Sequence, residues 1–253
     1  MMIRPLKHKR ILITREKSGA EVFANKLKER GAVPIITPLL TINCLKTHFF
    51  QTAATLSMYE WIFFTSANGV DCFFKHVQKE DVRSCRIAAV GSKTAKALEK
   101  HGCTVHFIPN TFHAEAMARE FFQKYTPSRP VLFVRGNRSR RVLIDRFLEK
   151  QIPFDCLHVY ETMPNQSIQS ELNRQLQQHQ FDFLTFTSPS TVDSFIQLTE
   201  EAHRFLDQPI VCIGPTTKKR AKEHGFANIF VPEQYTIEGM IDTMQLFTHR
   251  KDE

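Results

Sequence analysis

The sequence predicts an α/β protein built from two similar doubly wound parallel sheets. Three observations lead there: an internal repeat, an alternation of short apolar runs with amphipathic stretches, and small polar residues at the end of nearly every run. The repeat decides the architecture. Trp61–Val77 (WIFFTSANGVDCFFKHV) returns as Asp182–Leu198 (DFLTFTSPSTVDSFIQL), and Arg86–Met117 returns as Pro209–Met240 with the same Gly, Thr, His-Gly and Phe-x-Pro landmarks. Lys9–Ile35 has a fainter echo in Arg129–Asp155. The three echoes keep their order at an offset of about 120 residues, the mark of a duplicated unit.

Taken along the chain, Ile11–Thr14, Trp61–Thr65, Arg86–Val90 and Thr104–Ile108 are short β-branched or aromatic runs, which suits strands buried on both faces. Between them, Ala20–Arg30 repeats apolar residues at helical spacing (Val22, Phe23, Leu27), and Ser92–Lys100 and Ala114–Lys124 read as helices too. His101-Gly102 and His224-Gly225 stand where a helix end calls for a left-handed glycine. Strand–helix alternation implies βαβ units, hence parallel sheets with helices on both faces.

Composition narrows the function. The 253 residues, 42% hydrophobic and 24% charged, suit two ordinary domains and exclude a disordered or coiled-coil chain. The longest apolar runs fall far short of the ~20 residues of a membrane helix. The basic start Met1–Arg10 precedes a run that breaks at Arg15, too early for a signal core. A cytoplasmic protein without a membrane partner is expected. A net charge of +8 favours an anionic ligand. The 22 phenylalanines are expected to fill cores. The six cysteines show no C-x-x-C pair, and several sit in apolar strand-like runs where cysteine behaves as a small hydrophobe, which argues against a disulfide framework or a zinc site.

Several chemistries find no motif. G-x-G-x-x-G, the P-loop and G-x-S-x-G are absent, and Gly91-Ser92-Lys93-Thr94 lacks the upstream glycine of a P-loop. No histidines stand at metal-ligand spacing, so neither cofactor nor metal is expected. Arg138, Arg140 and Arg141 read as the solvated face of a helix start, with no nucleic-acid module beside them.

What remains is a set of strand-end loops. In open parallel sheets ligands bind at the carboxyl ends of strands. Thr14-Arg15, Thr65-Ser66, Ser92 and Thr94, Arg135-Gly136-Asn137, Ser188 with Ser190, and Gly214 with Thr216 and Thr217 all fall there. Each loop offers backbone N–H groups and the positive end of a helix dipole, which suits an anion. For any one of the hydroxyls taken alone, a plain N-cap role is the stronger reading. Six such loops with Arg15 and Arg135 point to a multivalent anion site.

These residues bring out a resemblance. Over roughly Lys9–Gln245, ILITR, the strand running to Pro38-Leu39, FTSANGV, AVGSKTAKAL, the Arg-Gly-Asn loop, VYET, FTSPSTVDSF and CIGPTTKKRAKEHGF make the chain similar to the uroporphyrinogen-III synthase family. The second loop departs, reading Gly-Ser-Lys-Thr where its repeat partner has Gly-Pro-Thr-Thr, and the methyltransferase segment of some relatives has no counterpart here.

The resemblance implies two flavodoxin-like domains joined by a two-strand linker. One would be residues 1–38 with 165–253, the other 39–164, so that the halves of the duplication exchange their opening βαβ units. Leu39–Cys44 and His158–Pro164 would be the crossing strands. It also implies a cofactor-free, monomeric enzyme whose substrate is the polycarboxylate hydroxymethylbilane. That linear tetrapyrrole loses water, ring D is inverted through a spiro intermediate, and uroporphyrinogen III is formed. Tyr160, in Val159-Tyr160-Glu161-Thr162, matches the family's tyrosine at the interdomain face, a candidate acid for water loss. Thr65, Ser66, Thr94, Ser188, Thr216 and Thr217 match positions that would hold substrate carboxylates. A non-enzymatic two-lobed anion-binding protein and a nucleotide-dependent Rossmann enzyme are the rival readings.

Overall fold

In chain order the computed structural model has strands β1 (Arg10–Ile13), β2 (Val33–Ile36), β3 (Leu40–Cys44), β4 (Trp61–Phe64), β5 (Arg86–Ala89), β6 (Val131–Gly136), β7 (Phe154–Pro164), β8 (Phe183–Phe186), β9 (Ile210–Cys212) and β10 (Ile229–Phe230). The helices are α1 (Lys17–Glu29), α2 (Ala53–Leu56), α3 (Ala67–Phe73), α4 (Ser92–Lys100), α5 (Ala114–Lys124), α6 (Val142–Glu149), α7 (Gln169–Gln178), α8 (Pro189–Leu198), α9 (Pro215–Glu223) and α10 (Ile237–Asp252). The structure describes residues 6–46 and 53–252, so the first half of the basic Met1–Arg10 start lies outside the described residues.

The chain divides into two compact units, Met1–Thr41 with Met163–Glu253 and Ile42–Thr162. Each unit has its own five-stranded sheet, ordered β10-β9-β8-β1-β2 in the first and β3-β7-β6-β4-β5 in the second. The pairs β1–β2, β1–β8, β8–β9, β9–β10, β4–β5, β4–β6 and β6–β7 are parallel, with partners such as Ile11↔Phe183 and Trp61↔Val131. By contrast β3 and β7 run antiparallel, the Leu45 N–H donating to the Val159 carbonyl and the Asn165 N–H to that of Leu39. The β1-α1-β2 segment thus joins β8–β10, while its repeat β6-α6-β7 joins β4 and β5. Both unit boundaries fall inside β3 and β7, which adjoin in one sheet.

Alternation along the strands explains the layering. In the second unit Ile62, Phe64, Leu132 and Val134 face α3 and α4, while Trp61, Phe63, Val131 and Phe133 face α5 and α6. In the first unit Leu12, Leu184 and Phe186 pack on α7 and α8, and Ile11, Ile13 and Phe183 on α1 and α10. With both faces covered, β4, β6 and β8 are buried at every position, as continuous apolar runs require. The phenylalanines do fill the cores: Phe63, Phe121, Phe133 and Phe147 interlock with centroids 4.8–5.9 Å apart, each burial contributing roughly 1.5–3 kcal/mol.

Three sequence expectations need correction. Thr104–Ile108 forms no strand; only a single bridge, Ala88↔Phe107, survives, because the flanking Pro109 lacks the N–H to extend a ladder. Val22 is 56% exposed, and the buried stripe of α1 runs instead through Ala20, Phe23, Ala24 and Leu27. The cysteines are not all small hydrophobes: Cys44 and Cys72 form a disulfide, while Cys85, Cys103 and Cys212 are buried free thiols. Arg138, Arg140 and Arg141 are exposed as expected, although they precede α6 rather than lying on it. Among the described residues no helix is long and apolar enough to cross a membrane.

Candidate active site

The six strand-end loops occur at one edge of each parallel sheet, and the structure sorts their side chains by what they touch. In the first unit Thr14 is fully buried and its hydroxyl donates to the Thr185 carbonyl (2.6 Å), so it ties β1 to β8. The Arg15 guanidinium folds over Gly19 in the first turn of α1, where a β-carbon would collide with it, and pairs with Glu16 at 3.1 Å. Ser188 caps α8 by accepting from the Thr191 N–H (3.2 Å), and its hydroxyl also meets Ser190 Oγ at 3.0 Å. At α9, Gly214 is the N-cap, Thr216 is exposed, and Thr217 is buried.

In the second unit Thr65 donates to the Val134 carbonyl across β4 and β6 at 3.4 Å. Ser92 is exposed at the first position of α4, and Thr94 is buried one turn in. Arg135 is 7% exposed; it donates to the Ser139 carbonyl of its own loop, while its Nε has no partner. Asn137 is exposed, its side-chain oxygen accepting from the Thr162 N–H at 3.1 Å and its own N–H donating to the Tyr160 carbonyl at 3.2 Å.

One contact stands apart. Tyr160 and Ser66 lie 94 residues apart in sequence, yet the Tyr160 hydroxyl is 2.9 Å from Ser66 Oγ. Two local features produce it. The β6–β7 register shifts between Arg135↔His158 and Gly136↔Tyr160, a bulge that sets Tyr160 opposite the glycine. A β-carbon at Gly136 would overlap the Tyr160 ring, so only glycine allows the ring to lie flat there. Gly69 borders the ring less tightly: a β-carbon there would meet it at 3.7 Å, an ordinary contact, so the requirement for glycine is confined to position 136.

Ser66 is also the N-cap of α3, accepting from the Gly69 N–H at 3.0 Å. A donor chain therefore runs from Gly69 N–H to Ser66 Oγ, and the serine proton is free to point at the phenol oxygen. In that arrangement the phenol proton is not committed to Ser66, although the Tyr160 side chain is itself buried, and phenolate charge is met by a hydroxyl and a helix start. Tyr59 shows the opposite case: its hydroxyl donates to Asp155 at 2.8 Å, and burial with that carboxylate raises its pKa far above the ordinary value. Tyr59 is thus a locked structural phenol. Burial likewise pushes the Cys212 thiol, at the end of β9, up to about 12.

Sequence reading missed Ser66 as the phenol's partner, Gly136 as its floor, and two aromatics placed alike by the repeat. Phe112 lies over Gly91 and Tyr235 over Gly214, each 60% exposed. The signal was present in the repeat, where Phe112 and Tyr235 align. Among the described residues no three His, Cys, Asp or Glu side chains could hold a metal ion.

Comparison with known proteins identifies the family. Residues 21–242 match the family described as uroporphyrinogen-III synthase HemD. A Methanocaldococcus jannaschii protein described as a candidate uroporphyrinogen-III synthase is 32% identical over 249 residues, covering 95% of this chain and 100% of that one. The uroporphyrinogen-III synthase of Synechococcus elongatus is 29% identical over 255 residues, covering 95% and 96%. The crystal structure of uroporphyrinogen-III synthetase from Helicobacter pylori shares the fold, with a TM-score of 0.64 at 18% identity over 93% of this chain and 97% of that one. The chain belongs to the uroporphyrinogen-III synthase family, cyclising hydro-lyases of tetrapyrrole biosynthesis.

Proposed function

We propose that the protein converts hydroxymethylbilane to uroporphyrinogen III, with Tyr160 as the acid that releases water. The observation that carries the reading is the Ser66–Tyr160 hydrogen bond, which sets a phenol at a sheet edge with a donor behind its oxygen. The phenol proton goes to the departing hydroxyl, and the substrate becomes an azafulvene cation. Ser66 then donates to the phenolate oxygen. The cation is attacked by the substituted carbon of ring D, the spiro intermediate opens, and ring closure releases a proton that restores the phenol. Substrate minus water equals product, so no other reactant is needed.

Eight carboxylates decorate such a substrate, and the exposed or half-buried Ser66, Ser92, Asn137, Ser188, Ser190, Thr216 and Arg15, with the loop N–H groups, are suited to them. Gly136 and Gly214 are buried beneath the Tyr160 and Tyr235 rings and serve the site by seating those rings. Thr14, Thr65, Thr94, Arg135 and Thr217 act one step behind, holding those loops in shape. A cytoplasmic monomer acting without nucleic acid is part of the same reading, the monomer resting on the family resemblance and the rest on the sequence, in which no nucleic-acid module accompanies the basic residues.

The test is isomer control. Hydroxymethylbilane closes unaided to the uninverted type I ring, so the products formed with purified protein should be oxidised and separated. Type III should dominate; an unchanged excess of type I, or capture of the substrate without conversion, would remove the assignment.

A further inference from the structure

We infer that the Cys44–Cys72 disulfide is a positioning device for Tyr160, and that reducing it loosens the Ser66–Tyr160 contact. The inference rests on the role just proposed for Tyr160. Cys72 lies in α3, only six residues beyond the cap Ser66 in a helix of seven residues. Cys44 ends β3, and the next residue, Leu45, donates its N–H to the carbonyl of Val159 at 2.8 Å, immediately before Tyr160.

The connections close a ring. From Cys72 it runs along α3 to Ser66, across the 2.9 Å hydrogen bond to Tyr160, back one residue to Val159, across to Leu45, and through Cys44 to the disulfide. Every link but the two hydrogen bonds is covalent or helical. The bridge thus restrains both partners of the phenol contact: the short helix whose start carries Ser66 and the strand whose neighbour carries Tyr160. A seven-residue helix has little stability of its own and takes its position from tertiary anchors.

Cys72 is 2% exposed, whereas Cys44 is half-buried, so an incoming thiolate meets the Cys44 sulfur. Attack there forms a mixed disulfide and expels Cys72 as a thiolate, which takes a proton. With a dithiol, the second thiol then displaces Cys44, leaving two protein thiols and one cyclic disulfide. Of the remaining thiols, Cys85, Cys103 and Cys212 are buried, which raises their pKa and makes them poor competitors for Cys44 and Cys72, while Cys156 is exposed.

The experiment uses the full chain with and without dithiothreitol. Alkylation under denaturing conditions should label four cysteines before reduction and six after it. Hydrogen exchange should quicken on reduction at the Gly69, Val70 and Leu45 amides. Turnover at saturating substrate should fall roughly five- to tenfold with KM little changed, as for a misplaced catalytic group. In Tyr160→Phe the same reduction should change turnover by less than about twofold, because the coupled partner is gone. The Cys44→Ser, Cys72→Ser double variant should match the reduced protein and ignore dithiothreitol; if it does not fold, the reduced wild type still decides. Six labelled cysteines before reduction, unchanged exchange at α3, or an equal loss in Tyr160→Phe each overturns the inference. Absence of turnover in the oxidised protein counts against the proposed reaction alone, since alkylation and exchange read the latch without substrate.

Discussion

The two units use the same helix cap for different ends. Ser188 and Ser66 follow equivalent strands, adopt the same extended backbone, and each accepts from the N–H three residues on. Ser188 turns its remaining capacity inward: it meets Ser190, and Thr191 returns a bond to its backbone N–H, closing a capping box. Ser66 turns its capacity outward to Tyr160. The difference traces to the strand two places along the sheet. β7 carries a bulge and a tyrosine, whereas the chain after β2 reads Thr37-Pro38-Leu39 with Leu39 fully buried in the core. A duplicated fold supplies two capped helix starts, and one aromatic residue on a bulge gives one of them a phenol, the acid of the proposed reaction.

The largest effect expected from breaking that asymmetry is at Tyr160. Tyr160→Phe keeps the ring on Gly136 and removes only the hydroxyl, so turnover should drop by about 10² or more with the melting temperature nearly unchanged. Gly136→Ala should reach a similar loss by another route, pushing the ring off its floor, and should also lower the melting temperature. Steady-state kinetics with thermal melts check both. A Tyr160→Phe enzyme within a few-fold of wild type would return the two units to equivalence and move the acid elsewhere.

Next comes the pair of caps. Ser66→Ala and Ser188→Ala each remove one N-cap, costing about 1 kcal/mol of stability. Their kinetics should diverge. Ser66→Ala also takes the donor from behind the phenol oxygen, so kcat should fall on the order of tenfold, while Ser188→Ala should act mainly on KM through one carboxylate contact. Equal kcat losses would mean that both serines merely shape loops.

Much of this was legible in the residues, for local reasons. Strands buried on both faces announce themselves as apolar runs, and helices α4 and α5 fall at Ser92–Lys100 and Ala114–Lys124 as their spacing predicts. Gly102 and Gly225 take φ of 75° and 89°, the left-handed cap that His-Gly suggested. What sequence could not show depends on distant pairings. The bulge beside Tyr160 is a property of two strands in register, the Cys44–Cys72 bridge joins a strand to a helix 28 residues on, and the burial of Thr14, Thr94, Arg135 and Thr217 follows from neighbours contributed by other segments. Loop chemistry therefore named more ligand-facing side chains than the folded loops present.

The smallest effect separates two salt bridges that the duplication placed alike. Asp71 meets His101 at 3.1 Å in one unit, and Asp193 meets His224 at 2.8 Å in the other, each tying the helix after a capped serine to the end of the next helix. Only the second has a further cation: Arg220 reaches Asp193 at 2.5 Å, where the first unit has Ala97. Burial alone would raise the Asp193 carboxyl, but hydrogen bonds from His224 and Arg220 outweigh it and hold the pKa below the ordinary value. A carboxyl depressed on folding contributes stability above its unfolded pKa, near 3.9, and loses it as the pH falls through the lower folded value. The site is more than a third exposed, so screening limits the contribution to a few tenths up to about 1 kcal/mol. Asp193→Asn should therefore melt slightly below wild type at pH 7, with the gap narrowing as the pH falls below the unfolded carboxyl's range and closing only once the lowered folded pKa is passed. Asp71→Asn, with one partner and a more exposed carboxylate, should cost less at pH 7. Chemical denaturation of the three proteins across pH 3 to 7 measures the order, and a larger loss from Asp71→Asn would show that the Arg220 addition does not strengthen the pair.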